Sequence, residues 1–129
     1  MLGYMEIIMP IQFSNDKPIF LQLAELIKSE IISGKHPTGK KLPSVREFAF
    51  EFQINPNTVQ KALQILEEEG YITTDRTNGK FVTSTQKQLE IQKNKLINQE
   101  IASFFEKMKS FGLTSKEIKK LINNINIGD

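Results

Sequence analysis

Residues 42–81 read LPSVREFAFEFQINPNTVQKALQILEEEGYITTDRTNGKF, and the order of signals within this stretch decides the fold. Ser44-Val45-Arg46-Glu47 has the Ser-x-x-Glu spacing of a capping box, in which hydroxyl and carboxylate each satisfy a backbone N–H that the first helical turn leaves without a partner. A helix therefore starts at Ser44. Val45, Phe48, Ala49 and Phe52 follow at i, i+3, i+4 and i+7, which buries one side and leaves Arg46 near the exposed N-terminal end. Gln53 and Ile54 make a turn, Asn55 caps the next helix, and Pro56 takes its first position, where a missing N–H costs nothing. Val59, Ala62, Leu63 and Leu66 form the core face of that helix; Asn57, Thr58, Gln60, Lys61 and Gln64 lie on its other faces, and Gly70 ends it.

Tyr71 to Thr85 reads as a β-hairpin, because β-favouring residues flank Asn78-Gly79, the dipeptide that most favours a tight two-residue turn. Arg76 and Lys80 would stand at its tip. Two short amphipathic helices joined by a turn and followed by a hairpin are the layout of a winged helix-turn-helix, which sets its second helix into the major groove of DNA. The expected fold class is therefore mainly α with a small β-wing.

Upstream, Pro18 suits the first turn of a helix over residues 18–33, with Asp16 as a cap, Leu23, Leu26, Ile27 and Ile31 as the apolar face and Gly34 as terminator. Lys35 to Leu42, with Pro37 and Gly39, reads as a loop. The apolar run Met1 to Phe13 is interrupted by Glu6, follows no basic residue and is too short to span a bilayer, so residues 1–17 are expected to form an arm or short strand. Downstream of residues 18–85, the segment 86–129 opens with a long polar helix carrying the stripe Ile97, Ile101, Phe104, Phe105, Met108 and Phe111, which Gly112 breaks. A second capping box, Thr114 to Glu117, opens a short helix with Ile118, Leu121, Ile122 and Ile125 at helical spacing. Two helices cannot close a core, and roughly 45 residues fall below the usual size of a domain. The tail is expected to pack on a second copy, making a homodimer through these ten residues.

Composition narrows the function. Cysteine is absent and His36 is the single histidine, which removes disulfides, thiolate metal sites and histidine-based catalytic clusters and points to a cytoplasmic protein. No nucleophile stands beside a base and no glycine-rich phosphate loop is present, so neither an enzyme nor a cofactor is expected. The formal net charge of +2 is uninformative, but its distribution is not: between Lys35 and Lys61 five basic residues face two acidic ones. Glu67, Glu68 and Glu69 read as a solvated helix end. Both arginines, Arg46 and Arg76, lie inside the motif. A guanidinium donates bidentately to guanine or phosphate, amide, hydroxyl and ammonium groups read base edges and phosphates, and the helix start at Asn55 would offer free N–H groups to a phosphate. Double-stranded DNA is the expected partner, and a protein-binding adaptor of the same fold is the rival reading.

Pro18-Ile19-Phe20-Leu21-Gln22-Leu23, Gly34, Gly39, Leu42-Pro43-Ser44-x-Arg46, Asn57-Thr58-Val59, Ala62, Leu63, Leu66-Glu67, Glu69-Gly70-Tyr71-Ile72 and Gly79-x-Phe81-Val82 together resemble the GntR family of bacterial transcription regulators. The short two-helix tail is similar to that of the small YtrA-type branch. The resemblance implies a homodimeric regulator of operator DNA, often near transporter genes. It assigns DNA contacts to Arg46, to Asn55, Pro56, Asn57 and Thr58, to Gln60 or Lys61, and to the wing at Gly79; Ser44, Arg76 and Lys80 join them by position. Family members commonly carry an arginine early in the recognition helix and a Gly-x-Gly-Thr wing. This chain has Gln60 and Lys61 in the one and Thr77-Asn78-Gly79-Lys80 in the other, so a relative's operator sequence does not transfer. A tail this small leaves a small-molecule effector only the dimer interface or the junction with the winged domain.

Overall fold

The computed structural model describes residues 13–83, 85–126 and 128, and the expected N-terminal arm falls outside them up to residue 12. Its elements are α1 (Ile19–Ile32), α2 (Val45–Phe52), α3 (Pro56–Glu68), β1 (Ile72–Asp75), β2 (Gly79–Val82), α4 (Gln86–Ser110) and α5 (Ser115–Asn124). The helices around one small antiparallel hairpin match the expected mainly α fold with a β-wing.

Local chemistry sets most of the boundaries. Ser44 and Glu47 form both halves of the capping box of α2, at 3.1 and 3.0 Å. Asn55 Oδ1 accepts the Asn57 N–H at 2.7 Å, with Pro56 at the first position of α3. Between them Gln53 adopts the left-handed conformation, φ 55°, and makes the turn of the helix-turn-helix. The end of α3 is a paired backbone closure: Tyr71 N–H donates to the Leu66 carbonyl and Gly70 N–H to that of Glu67, which needs Gly70 at φ 87°. Lys35 and Gly34 close α1 in the same way onto Glu30 and Ile31. The start of α1 differs from expectation. Pro18 is the cap residue itself, and Asp16 makes no cap bond. Gln22 ties the entry down instead, its amide donating to the carbonyls of Ser14 and Lys17 at 2.9 and 2.8 Å.

Leu23, Ile27, Ile31, Phe48, Val59, Ala62, Leu63 and Leu66 have no exposed surface and join α1, α2 and α3 in one core with Leu42, Ile72 and Val82. Burying each larger aliphatic or aromatic side chain contributes about 1.5–3 kcal/mol. Glu30 is buried at the edge of this core, with one oxygen on His36 Nε2 at 2.8 Å and the other on Lys35 Nζ at 3.1 Å. The His36 ring meets Phe48 edge-on at 6.1 Å, so the lone histidine anchors the loop after α1.

The hairpin corrects two expectations. β1 and β2 pair from Ile72↔Val82 to Asp75↔Gly79, so the connection is three residues, Arg76 to Asn78, and not a two-residue Asn-Gly turn. Asp75 is the reason: its carboxylate accepts the N–H groups of Thr77 and Asn78 at 2.8 and 3.3 Å, and Gly79, at φ 104°, absorbs the reversal as the first residue of β2. Nor is the segment before Leu42 a plain loop. Val82 N–H donates to the Lys40 carbonyl and Leu42 N–H to that of Lys80, which pairs Lys41 with Phe81 along the outer edge of β2.

The chain divides into two compact units after Leu89. The first outlasts the expected boundary at residue 85 because Leu89, 4% exposed, belongs to its core. In the second unit, Thr114 and Glu117 form the expected capping box of α5. Ile97, Ile101, Phe104, Phe111, Leu121 and Ile125 are 44–66% exposed, whereas Phe105, Met108 and Ile122 are half-buried. Ile118 departs from the interface set, being buried within the single chain, and Ile125 caps α5 from outside the helix.

Gly79→Ala is expected to lower unfolding stability by more than about 1 kcal/mol in urea denaturation, because alanine disfavours the φ of 104° that the reversal requires. The capping box also sets an acid dependence. Hydrogen bonds from Ser44 hold the Glu47 carboxyl below its ordinary value of 4.5. A depressed folded pKa means that the contribution is complete above the unfolded value and lost as pH falls through the folded one. Wild-type stability should therefore decline below about pH 4.5, and Glu47→Gln should decline less steeply; equal slopes for the two proteins would show that the box is not part of the acid response.

Candidate nucleic-acid interface

Four buried residues on one side of α3 leave the opposite side to Asn57, Gln60, Lys61 and Gln64, all exposed. Gln64, not among the residues expected to read DNA, shares this face one turn beyond Gln60 and donates to Glu68 at 3.3 Å. Thr58 is half-buried at the margin. Lys61 is partly held, with Nζ 5.6 Å from the centre of the Phe20 ring on α1. Each good bidentate contact between such a side chain and a base edge discriminates by about 1–3 kcal/mol.

The start of α3 does not offer free N–H groups to a phosphate as expected. Pro56 has none, Asn57 donates to Asn55 Oδ1, and Thr58 and Val59 donate to the Asn55 carbonyl at 2.9 and 3.2 Å. Asn55 and Pro56 therefore build the helix start, and the side chains beyond them carry the polar chemistry. Ser44 is likewise committed to its capping box, its oxygen accepting the Glu47 N–H and its hydroxyl acting on the Glu47 carboxylate.

Arg46 lies on the first turn of α2, exposed, and forms no salt bridge with Glu47 or Glu51. Arg76 lies exposed in the wing loop. Lys80 does not join it at the tip. Strand alternation puts Lys80 on the face of Thr74 and Val82, where Nζ donates to Thr74 Oγ1 at 2.8 Å and lies 3.7 Å from Glu67 Oε1. Glu67 also accepts from Thr74 Oγ1, and Glu69 pairs with Lys28 at 3.1 Å, so two of the three consecutive carboxylates staple the end of α3 to its neighbours instead of merely facing water. Asp75 keeps a negative charge in the wing loop, its carboxyl held below the ordinary range first of all by the Thr77 N–H.

Sequence reasoning leaves the adjacent Lys40 and Lys41 equally open as contacts and does not choose between them. Lys41 is exposed, and its stem crosses Gly79 on the outer face of β2. The signal that could have found it is the placement of Leu42, an apolar residue two positions after Lys40, which fixes the parity of a short paired segment. Among the described residues no group of three or more His, Cys, Asp or Glu converges as a metal site would require, and no helix is long and apolar enough to cross a membrane.

Comparison with known proteins accounts for this arrangement. Residues 20–82 match the family described as bacterial regulatory proteins, gntR family. The uncharacterized HTH-type transcriptional regulator YhcF of Bacillus subtilis is 35% identical over 117 residues, which cover 91% of this chain and 97% of YhcF. The HTH-type transcriptional repressor YtrA of the same organism is 41% identical over 73 residues, 57% of this chain and 56% of YtrA. Among solved structures, a GntR family transcriptional regulator from Listeria monocytogenes superposes with a TM-score of 0.82 at 33% identity, over 88% of this chain and 100% of that one. Since the similarity to YhcF runs through the winged domain and the tail alike, the chain belongs to the gntR family of bacterial transcription regulators.

Proposed function

We propose that this transcription regulator is a repressor that binds a near-palindromic DNA operator as a homodimer. The observation that carries the reading is the exposed polar face of α3, Asn57, Gln60 and Lys61, flanked by an Arg46 that forms no ion pair among the described residues. In this reading α3 enters the major groove, Arg46 donates to a guanine edge or to a backbone phosphate, and the wing loop with Arg76 touches the neighbouring backbone or minor groove. Lys80 acts at a distance, by holding the wing to α3 through Thr74 and Glu67. The repressor direction follows the similarity to YtrA, and occupancy of a promoter would exclude polymerase. The resemblance to the YtrA-type branch extends the proposal to operons that carry transporter genes.

The tail supports the dimer. Ile97, Ile101, Phe104, Met108 and Phe111 recur at alternating spacings of four and three, the pattern of a two-helix seam, and four of the five are exposed on the single chain. Exposed apolar surface gathered along one stripe marks an association site. A two-fold pair would set the spacing of the half-sites at about one helical turn of DNA or a multiple of it.

Selection of duplexes from a random-sequence pool, followed by anisotropy titration, tests the DNA reading. The wild-type protein should enrich an inverted repeat and bind it with an affinity that falls steeply with salt, and Arg46→Ala should weaken binding by about 1–3 kcal/mol. Failure to enrich any sequence would remove it in favour of a protein-binding role. For the tail, Ile101→Glu with Phe104→Glu should shift the sedimenting species from dimer to monomer and lose the inverted-repeat preference while the winged domain stays folded. A dimer that survives both substitutions would place the association elsewhere.

A further inference from the structure

Lys41 occupies a position that the sheet itself fixes. The two bonds that pair its segment with β2 run from Val82 N–H to the Lys40 carbonyl, 3.0 Å, and from Leu42 N–H to the Lys80 carbonyl, 2.8 Å. They flank Lys41, which makes Lys41 and Phe81 a close pair without hydrogen bonds between them, their side chains on one face of the ladder. Leu42, 2% exposed, points the other way into the core and thereby holds Lys41 outward. Along that face the lysine stem runs over Gly79, where a Cβ would lie 3.0 Å from Cε and 3.7 Å from Nζ.

The ammonium so placed has no carboxylate within 4.0 Å among the described residues, unlike those of Lys28, Lys35 and Lys80. It lines a cleft of about 460 Å³ between the start of α2 and the wing, shared with Ser44, Arg76 and Asn78. The acid of that cleft, Asp75, is engaged by the Thr77 and Asn78 N–H groups of its own loop. Glu47, on the first turn of α2, feels the charge of Lys41 without an ion pair to it. A cleft with two cations outside any ion pair among the described residues and a carboxylate bonded within its own loop suits one phosphate group of a nucleic-acid backbone.

We propose that Lys41 is a phosphate contact of this chain, anchoring the DNA backbone in the cleft between α2 and the wing, and that Gly79 serves it by leaving open the space its stem crosses. The inference rests on the DNA-binding reading above. A lysine in this role supplies a point charge and no sequence information, so it fixes register on the duplex while the face of α3 reads bases.

The test uses the full chain, the duplex that wild-type selects, and a random-sequence duplex of equal length. Removing one neutralised phosphate contact changes the slope of log affinity against log salt by about 0.9 per chain, which is roughly an eightfold loss per chain at ~0.1 M salt. Lys41→Met should show that loss to the same extent on both duplexes, with an unchanged thermal midpoint, and Lys41→Arg should keep the wild-type slope. A Lys41→Met protein with wild-type slope and affinity would overturn the proposal while leaving the DNA reading intact. So would an equal loss in Lys41→Arg, or a loss confined to the selected duplex. If wild-type binds no duplex, the DNA reading falls and Lys41 with it.

Discussion

Complete burial of one side of α3 is the constraint on which the rest depends. Val59, Ala62, Leu63 and Leu66 have no solvent exposure, and a helix of 13 residues with that much of its surface committed cannot rotate about its axis without exposing apolar area to water. Its opposite side is therefore fixed as well, which gives Asn57, Gln60 and Lys61 a defined direction. The two ends inherit the same order. Asn55 sets where the helix begins relative to the turn at Gln53, and the closure at Gly70 delivers the chain into β1 in a single register.

Net charge says little about such a surface, because ion pairing redistributes it. Lys28, Lys35 and Lys80 are each matched to glutamate, and Glu25, Glu30, Glu67 and Glu69 are the acids they use. Three of the cations outside these pairs are set by helix starts and turns: Arg46 on the first turn of α2, Lys41 on the strand edge and Arg76 in the loop. A sequence with a formal charge of only +2 thus presents a locally cationic surface. Exposed ion pairs contribute little to stability individually, so their consequence here is mainly to decide which positive charges remain unpaired.

What could be read from the sequence follows from how local each determinant is. Both capping boxes and the Asn55-Pro56 start were legible because every group involved lies within three residues. The core face of α3 was legible from its period. The wing loop was misjudged although its signal is also local, since Asn78-Gly79 competes with Asp75, and the Asp75 carboxylate with its two backbone donors prevails. The pairing of Lys41 with Phe81 joins residues 40 positions apart through backbone bonds; the placement of Leu42 fixes the parity of that segment but does not name its partner strand. Lys80 was placed at the tip by proximity in sequence, whereas alternation along β2 sends it toward Glu67. Of the apolar tail residues, periodicity identified the set but could not divide it between intramolecular burial at Ile118 and exposure at Phe111 or Leu121.

The parity of the segment Lys40 to Leu42 has an evolutionary corollary. Two lysines stand side by side there, so a slip of one residue would still leave a lysine on the outer face of β2. The same slip would lift Leu42 out of the core, where it is almost wholly enclosed. Packing of Leu42 thus fixes which of the two lysines faces outward beside the wing, and exchange between lysine and arginine at residue 41 would be tolerated more readily than a single-residue insertion or deletion in the loop that precedes it.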